Sequence, residues 1–310
     1  MAGRPRGRRI PRYFGPRQGL AARPEPLRAC HIPGARQYVA PANPIDHRRR
    51  VGTAKGNATA SLEPMKPLVV IPARMSSSRL PGKPLADIAG TPMIVRVWQQ
   101  AMAAGIGPVV VAAAEVEIAA AILNAGGRAH LTPPNLSSGS DRIFAALQAI
   151  DRDATHDVVV NLQGDLPALD PSNIRAVADT LAETGADIAT LAAEIDNAAD
   201  RDNPSVVKPV VAWDVSGVRG RALYFTRARA PYGGGPLYHH IGIYAFRREA
   251  LARFVSLPPS PLEQREKLEQ LRALEAGMTI AIARVDSVPL SVDTEEDLKK
   301  ARALLSREKN

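Results

Sequence analysis

The chain has 310 residues, 45% hydrophobic and 23% charged, the make-up of a globular protein with one large or two modest domains. Its formal charge of +9 does not signal nucleic-acid binding by the body: residues 1–64 hold 13 Lys/Arg against three acids, and the remainder holds 27 basic and 28 acidic residues. The single cysteine, Cys30, lies in the basic segment, so the body has no disulfide, thiolate nucleophile or zinc–thiolate site. No apolar stretch approaches the roughly 20 residues of a membrane span, and a cytoplasmic protein is expected.

Residues 1–64 are rich in Pro, Gly and Arg and show neither helical nor strand periodicity, so disorder is the physical default. A secretory signal would need an apolar core after the basic start, and the prolines oppose the amphipathic helix of a transit peptide. Met65 stands directly before the first buried-strand pattern, so a misassigned start is the preferred reading and a basic disordered arm the second.

From there, residues 68–71 (Leu-Val-Val-Ile) read as a buried strand ending at Pro72. Pro92 suits the first residue of a helix that runs through Ile94, Val97, Trp98 and Met102 to Gly105. A second strand (109–111), a helix (115–125) closed by Gly126 and Gly127, and a third strand (128–131) follow. Ser140 and Asp141 are expected to cap a helix through Ile143, Leu147 and Ile150. A fourth strand (158–160) precedes a helix over 171–183. This alternation predicts an open, mostly parallel α/β sheet with helices on both faces, whose ligands sit beyond the carboxyl ends of the strands. After Ala186 the pattern changes: 206–213, 221–225 and 241–246 look strand-like, and helices are expected over 260–276 and 295–305. The reading is a core with a small β-rich excursion, one domain over 65–310.

The sharpest signal is Ile71-Pro-Ala-Arg74-Met-Ser-Ser-Ser-Arg79-Leu-Pro-Gly-Lys83-Pro-Leu85 at the end of the first strand. Two arginines and a lysine among small residues offer charge and main-chain donors to a triphosphate. It is not a Walker A loop, because Ser77 and Pro84 occupy positions that need Gly and Ser/Thr. Gln163-Gly164-Asp165 ends the fourth strand, where an Asp is either a Mg²⁺ ligand or part of a turn. Asp293 is either a second carboxylate for the same metal or the N-cap of the last helix. Of the neighbours His239 and His240, one faces each side of a strand. Glu263, Glu266 and Glu269 recur every three residues, as on a solvated helix face.

The loop resembles the opening motif of the CMP-KDO synthetases (KDO, 3-deoxy-manno-octulosonate), members of the glycosyltransferase-A-like, Rossmann-like nucleotidyltransferases. The resemblance continues through Ser138-Gly-Ser-Asp-Arg142, Val160-Asn-Leu-Gln-Gly-Asp165, Ala222-Leu-Tyr-Phe-Thr-Arg227, His240-Ile-Gly-Ile-Tyr244, Ser260-Pro-Leu-Glu263, Leu268-Glu-Gln-Leu-Arg272 and Val292-Asp293-Thr-Glu-Glu-Asp-Leu298. It implies transfer of CMP from CTP to KDO, for lipopolysaccharide biosynthesis, with pyrophosphate released. It implies nucleotide contacts at Arg74, Arg79, Lys83, Ser138, Arg142 and Gln163. It implies Mg²⁺ on Asp165 and Asp293, sugar-acid contacts at His240, Tyr244, Glu269 and Gln270, and a homodimer formed through the β-rich excursion.

The sequence departs from the family twice. Ala113-Ala114-Glu115 stands where Thr-Asp is common, so a polar contact is expected to be lost there. The loop over 232–239 is short, which leaves Arg227 to meet the sugar carboxylate. Competing readings are a cytidylyltransferase for amino-KDO or sialic acid, and a nucleic-acid binder acting through the basic segment.

Overall fold

The computed structural model describes residues 65–77 and 79–307; the readings made for residues 1–64 lie outside the described residues. In chain order the elements are β1 (Pro67–Ala73), a 3₁₀ turn (Lys83–Leu85), β2 (Asp87–Ile88), β3 (Thr91–Pro92), α1 (Met93–Ala104), β4 (Val109–Ala113), α2 (Val116–Asn124) and β5 (Arg128–Leu131). Then come α3 (Gly139–Ile150), β6 (Val158–Asn161), α4 (Pro171–Thr184), β7 (Ile188–Glu194), α5 (Ala198–Asp202), β8 (Lys208–Trp213), β9 (Arg219–Thr226) and β10 (Tyr238–Arg247). The chain closes with α6 (Arg248–Ser256), α7 (Pro261–Glu266), α8 (Leu271–Glu275), β11 (Ile280–Val285) and α9 (Glu295–Arg307).

One nine-stranded sheet takes the order β5-β4-β1-β6-β10-β7-β11-β9-β8. Only β10 and β9 run against the common direction, as their antiparallel pairings require. The sheet is therefore mostly parallel, as expected. The strand-like region after Ala186 joins this sheet: β8 and β9 form a hairpin that extends its edge through β11.

Alternate residues of each central strand face opposite layers. Val69, Ile71, Val109, Val111, Val158 and Val160 join α1, α2 and α4. Leu68, Val70, Val110 and Val159 join α3, α6 and α8 on the other face. Burial on both faces explains why these strands read as unbroken apolar runs. β1 continues through Pro72, which was expected to end it. Pairing with β6 stops at Val70 and Asn161, so the missing proline N–H breaks no ladder bond on that side.

Three local expectations are corrected. The N-cap of α3 is Ser138, whose Oγ accepts Asp141 N–H while the Asp141 carboxylate accepts Ser138 N–H, a capping box. The helix expected over 260–276 is two short ones. The chain turns left-handed at Lys267, φ 58°, and residues 268–270 cross between them. Finally, β7, β11, α5 and α6 were not anticipated. The alanine-rich run of β7, Ile-Ala-Thr-Leu-Ala-Ala-Glu, has little of the β-branched enrichment by which strands are read.

Candidate active site

The carboxyl ends of β1, β6 and β11 lie at one end of the sheet, and the chain's charged side chains converge there. A cleft of about 370 Å³ is lined by Arg74, Arg79 and Lys83 from the loop after β1, Ser138 and Arg142 from the start of α3, and Gln163 and Asp165 after β6. Lys83 Nζ donates to Asp165 Oδ2 at 2.8 Å and to Asp293 Oδ1 at 3.0 Å. Arg79 Nη2 lies 3.1 Å from the same Asp293 oxygen. Two carboxylates far apart in sequence thus share one cation.

Their convergence follows from the main chain. Val292 N–H donates to Asp165 O at 3.0 Å, which sets Asp293 beside Asp165. The next residues cap α9: Asp297 N–H donates to Thr294 Oγ1, and Asp297 Oδ2 accepts from Thr294 N–H and Oγ1. The cap of the last helix is therefore Thr294, and the Asp293 carboxylate remains turned to the cleft. Leu298, Ala301 and Leu305 of α9 hold this segment down by packing on Leu80, Ile88 and Met93. Gly164 allows the close passage behind it, since a Cβ there would lie 3.1 Å from Pro72 O.

Arg142 reaches this cleft from within the fold. Its guanidinium donates to Thr132 Oγ1, Pro133 O and Pro134 O. Burial lowers its pKa, against the pull of Glu115. It therefore shapes the cleft wall by holding the loop after β5. Ser138 Oγ is likewise engaged in the cap, so what Ser138 and Gly139 turn to the cleft is the amino end of α3.

A second cleft of about 710 Å³ shares Gln163 and Asp165 with the first and is lined also by Asp293. Its carboxylates, Asp165, Glu194, Asp196, Asp200, Asp286 and Asp293, sit beside His239 and His240, and no Lys or Arg is among the lining residues. Such a wall of acceptors suits a ligand rich in hydroxyl donors. His240 Nε2 lies 3.0 Å from Thr190 Oγ1. Its ring packs edge-on to Phe225, and burial pushes its pKa down to about 3, so it is neutral near pH 7.

Behind His240 stands Tyr244, ring centroids 5.5 Å apart, whose phenol burial holds well above its ordinary range. This closeness has a structural cause. The register of β10 on β7 jumps between Ile241 and Tyr244, a bulge, and Thr190 Oγ1 reaches the carbonyls of Ile241 and Ile243 inside it.

The remaining predicted sugar-side residues are not on the cleft surface. Glu269 accepts Ser140 Oγ–H at 3.0 Å from beneath α3, its other oxygen is buried without a hydrogen bond, and Gln270 is buried next to it. Both lie where the chain crosses from α7 to α8, so the solvated helical stripe is not formed. Arg227 is committed elsewhere: its guanidinium donates to Glu266 O, Pro204 O and Lys267 O, and it lines neither cleft. Arg227, expected to meet the sugar carboxylate, is held to the main chain by those bonds.

Sequence reasoning also missed two residues. Thr190 lies on the unanticipated β7. Glu115, in the stretch 113–115 where a polar contact is expected to be lost, accepts Met75 N–H on its Oε2 at 3.0 Å.

The profile of the family described as "Cytidylyltransferase" matches residues 68–280. The 3-deoxy-manno-octulosonate cytidylyltransferase of Parvibaculum lavamentivorans is 66% identical over 241 residues, 78% of this chain and 93% of the relative. That of Rhodospirillum centenum is 63% identical over 242 residues, 78% and 94% of the two chains. A solved CMP:2-keto-3-deoxy-manno-octonic acid synthetase complexed with CTP superposes with a TM-score of 0.73 at 38% identity, covering 78% of this chain and 99% of that one. With the profile matched over 68–280 and relatives above 60% identical over some four-fifths of the chain, the chain belongs to the cytidylyltransferase family, in the branch of the 3-deoxy-manno-octulosonate cytidylyltransferases.

Proposed function

We propose that the protein joins CMP from CTP to the anomeric hydroxyl of KDO and releases pyrophosphate, the step that activates KDO for lipopolysaccharide synthesis. One observation carries this reading: Arg74, Arg79 and Lys83 line a cleft with Asp165, Asp293 pairs with Arg79 and Lys83 at its edge, and the cleft shares Gln163 and Asp165 with a second one suited to a polyhydroxylated ligand. CTP occupies the first cleft and the sugar acid the second, with Gln163 and Asp165 at their junction. The anomeric oxygen bonds to the α-phosphorus as the bond to the bridging oxygen of pyrophosphate breaks.

Arg74 and Arg79 neutralise the departing phosphates, and Lys83 leaves the carboxylates to join them. Positioning and charge are the main requirements of such a displacement, and no protein nucleophile is needed. Asp165 and Asp293 suit Mg²⁺: both place an oxygen within 3.0 Å of one point, now held by the Lys83 ammonium, and waters and phosphates commonly complete such a shell. When bound, the ion supplies positive charge at the phosphate and lowers the pKa of the attacking hydroxyl. No helix of the described residues is long and apolar enough to cross a membrane. A homodimer and a cytoplasmic location complete the proposal.

Pyrophosphate release from CTP and Mg²⁺, assayed with KDO, amino-KDO and sialic acid in parallel, is the test. Release with KDO is expected to exceed the others. Folded protein that releases none with KDO rejects the reading, and preference for another acid moves it to the related synthetases.

A further inference from the structure

Glu115 stands just before α2, at the carboxyl end of β4, and touches neither cleft. Its Oε2 accepts the main-chain N–H of Met75 at 3.0 Å. Met75 is where the loop after β1 closes on itself, because Gly82 N–H donates to Met75 O at 3.2 Å. One residue earlier, Ala114 N–H donates to Ala73 O at 3.0 Å, so the peptides flanking Arg74 are both tied to the β4–α2 connection. Farther along, Leu80 N–H donates to Ser77 Oγ and Lys83 N–H to Leu80 O. Those bonds hold the loop to itself, whereas the Glu115 bond ties it to the sheet. The Glu115 charge also favours the protonated guanidinium of Arg142, which the Arg74 charge disfavours.

We propose that Glu115 is a positioning residue of the nucleotide loop: by holding Met75 N–H it sets where Arg74 and, across the closed loop, Lys83 present their charges to a triphosphate. The inference rests on the reading of this cleft as the CTP site. A carboxylate accepting a main-chain N–H is among the stronger hydrogen bonds, and small displacements of phosphate-binding groups have large kinetic effects.

Three substitutions in the full chain test it. Glu115→Gln offers an amide oxygen at the same reach. Glu115→Ala offers none. Glu115→Asp keeps the charge but withdraws the oxygen by about 1.5 Å, one bond length. Ala and Asp are expected to lower kcat/KM for CTP by ~10-fold or more, with Gln within a few-fold of the native chain. KM for KDO at saturating CTP is expected to stay unchanged. Amide exchange read by mass spectrometry should accelerate over 74–82 in the Ala and Asp chains and not in Gln.

Native behaviour of the Ala chain overturns the proposal. So does a pattern in which Asp is spared and Gln impaired, because charge and not the bond would then matter. Faster exchange across the whole chain, with the CTP and KDO constants failing together, overturns it as well. A native chain inert toward CTP would sink the reading of the cleft, while the exchange pattern would still decide what Glu115 does to the loop.

Discussion

Lys83 is the residue on which the site's charge balance turns. It neutralises Asp165 and Asp293 at 2.8 and 3.0 Å and lies within the nucleotide loop. Replacing it with Met removes the cation that the proposed reaction turns to the departing phosphates, and turnover should drop by ~10²-fold or more, with far-ultraviolet circular dichroism unaltered. Arg227 makes the opposite case. Arg227→Ala should leave KM for KDO unchanged and instead cost about 1–3 kcal/mol of stability, read by urea denaturation, because three carbonyls lose a donor. The loop cations were legible in the sequence because they combine a strand end with an unusual density of charge, whereas Asp165 and Asp293 stood between a metal ligand and a turn or helix cap until the fold brought them together. The commitment of Arg227 was not, because its partners are carbonyl groups whose positions depend on how Pro204, Glu266 and Lys267 fold, and no side-chain pattern encodes that.

At the level of elements, strands with β-branched runs were legible and alanine-rich β7 was not. What β7 brings is Thr190, the hydroxyl that fastens the bulge of β10. Four residues along a regular strand span roughly 13 Å, whereas the His240 and Tyr244 rings lie 5.5 Å apart across the bulge. The pair should therefore respond as a unit: His240→Gln and Tyr244→Leu are expected to be non-additive by about 0.5–3 kcal/mol in a double-mutant cycle. The same strand gives the protein an acid-sensitive element. The pKa of His240 is about 3 in the fold and ~6.5 for a free imidazole, so below pH 6.5 the unfolded chain takes up a proton that the native one refuses. Stability is whole above that pH and declines as pH falls toward 3. Melting temperatures at pH 7.5 and 5.0 should differ less for His240→Gln than for the native chain, by the equivalent of about 2 kcal/mol.

Across the whole molecule, the sheet order explains why the fold class was legible while the join between its parts was not. Alternating β and α segments announce a mostly parallel sheet, but nothing local in 208–226 says that its hairpin will extend that sheet through β11. A long-range knot binds the opposite end. Arg248, where β10 passes into α6, bonds the carboxylate and carbonyl of Asp151. Burial opposes ionisation of Asp151, but donors from His156, Arg248 and Thr155 outweigh it and hold its pKa at about 2. Asp151→Asn should lower thermal stability by about 1–3 kcal/mol, because the half-buried Arg248 guanidinium loses its counter-charge and keeps only its carbonyl partners. The tie from Lys83 to Asp293 joins residues 210 positions apart. A ribosome that has released everything up to β11 has made every strand of the sheet, yet one of the two carboxylates and the helix that packs on the phosphate loop have still to arrive. On the proposed reaction, catalytic competence is thereby deferred until translation is nearly over, and a chain that stops before Asp293 is expected to be silent.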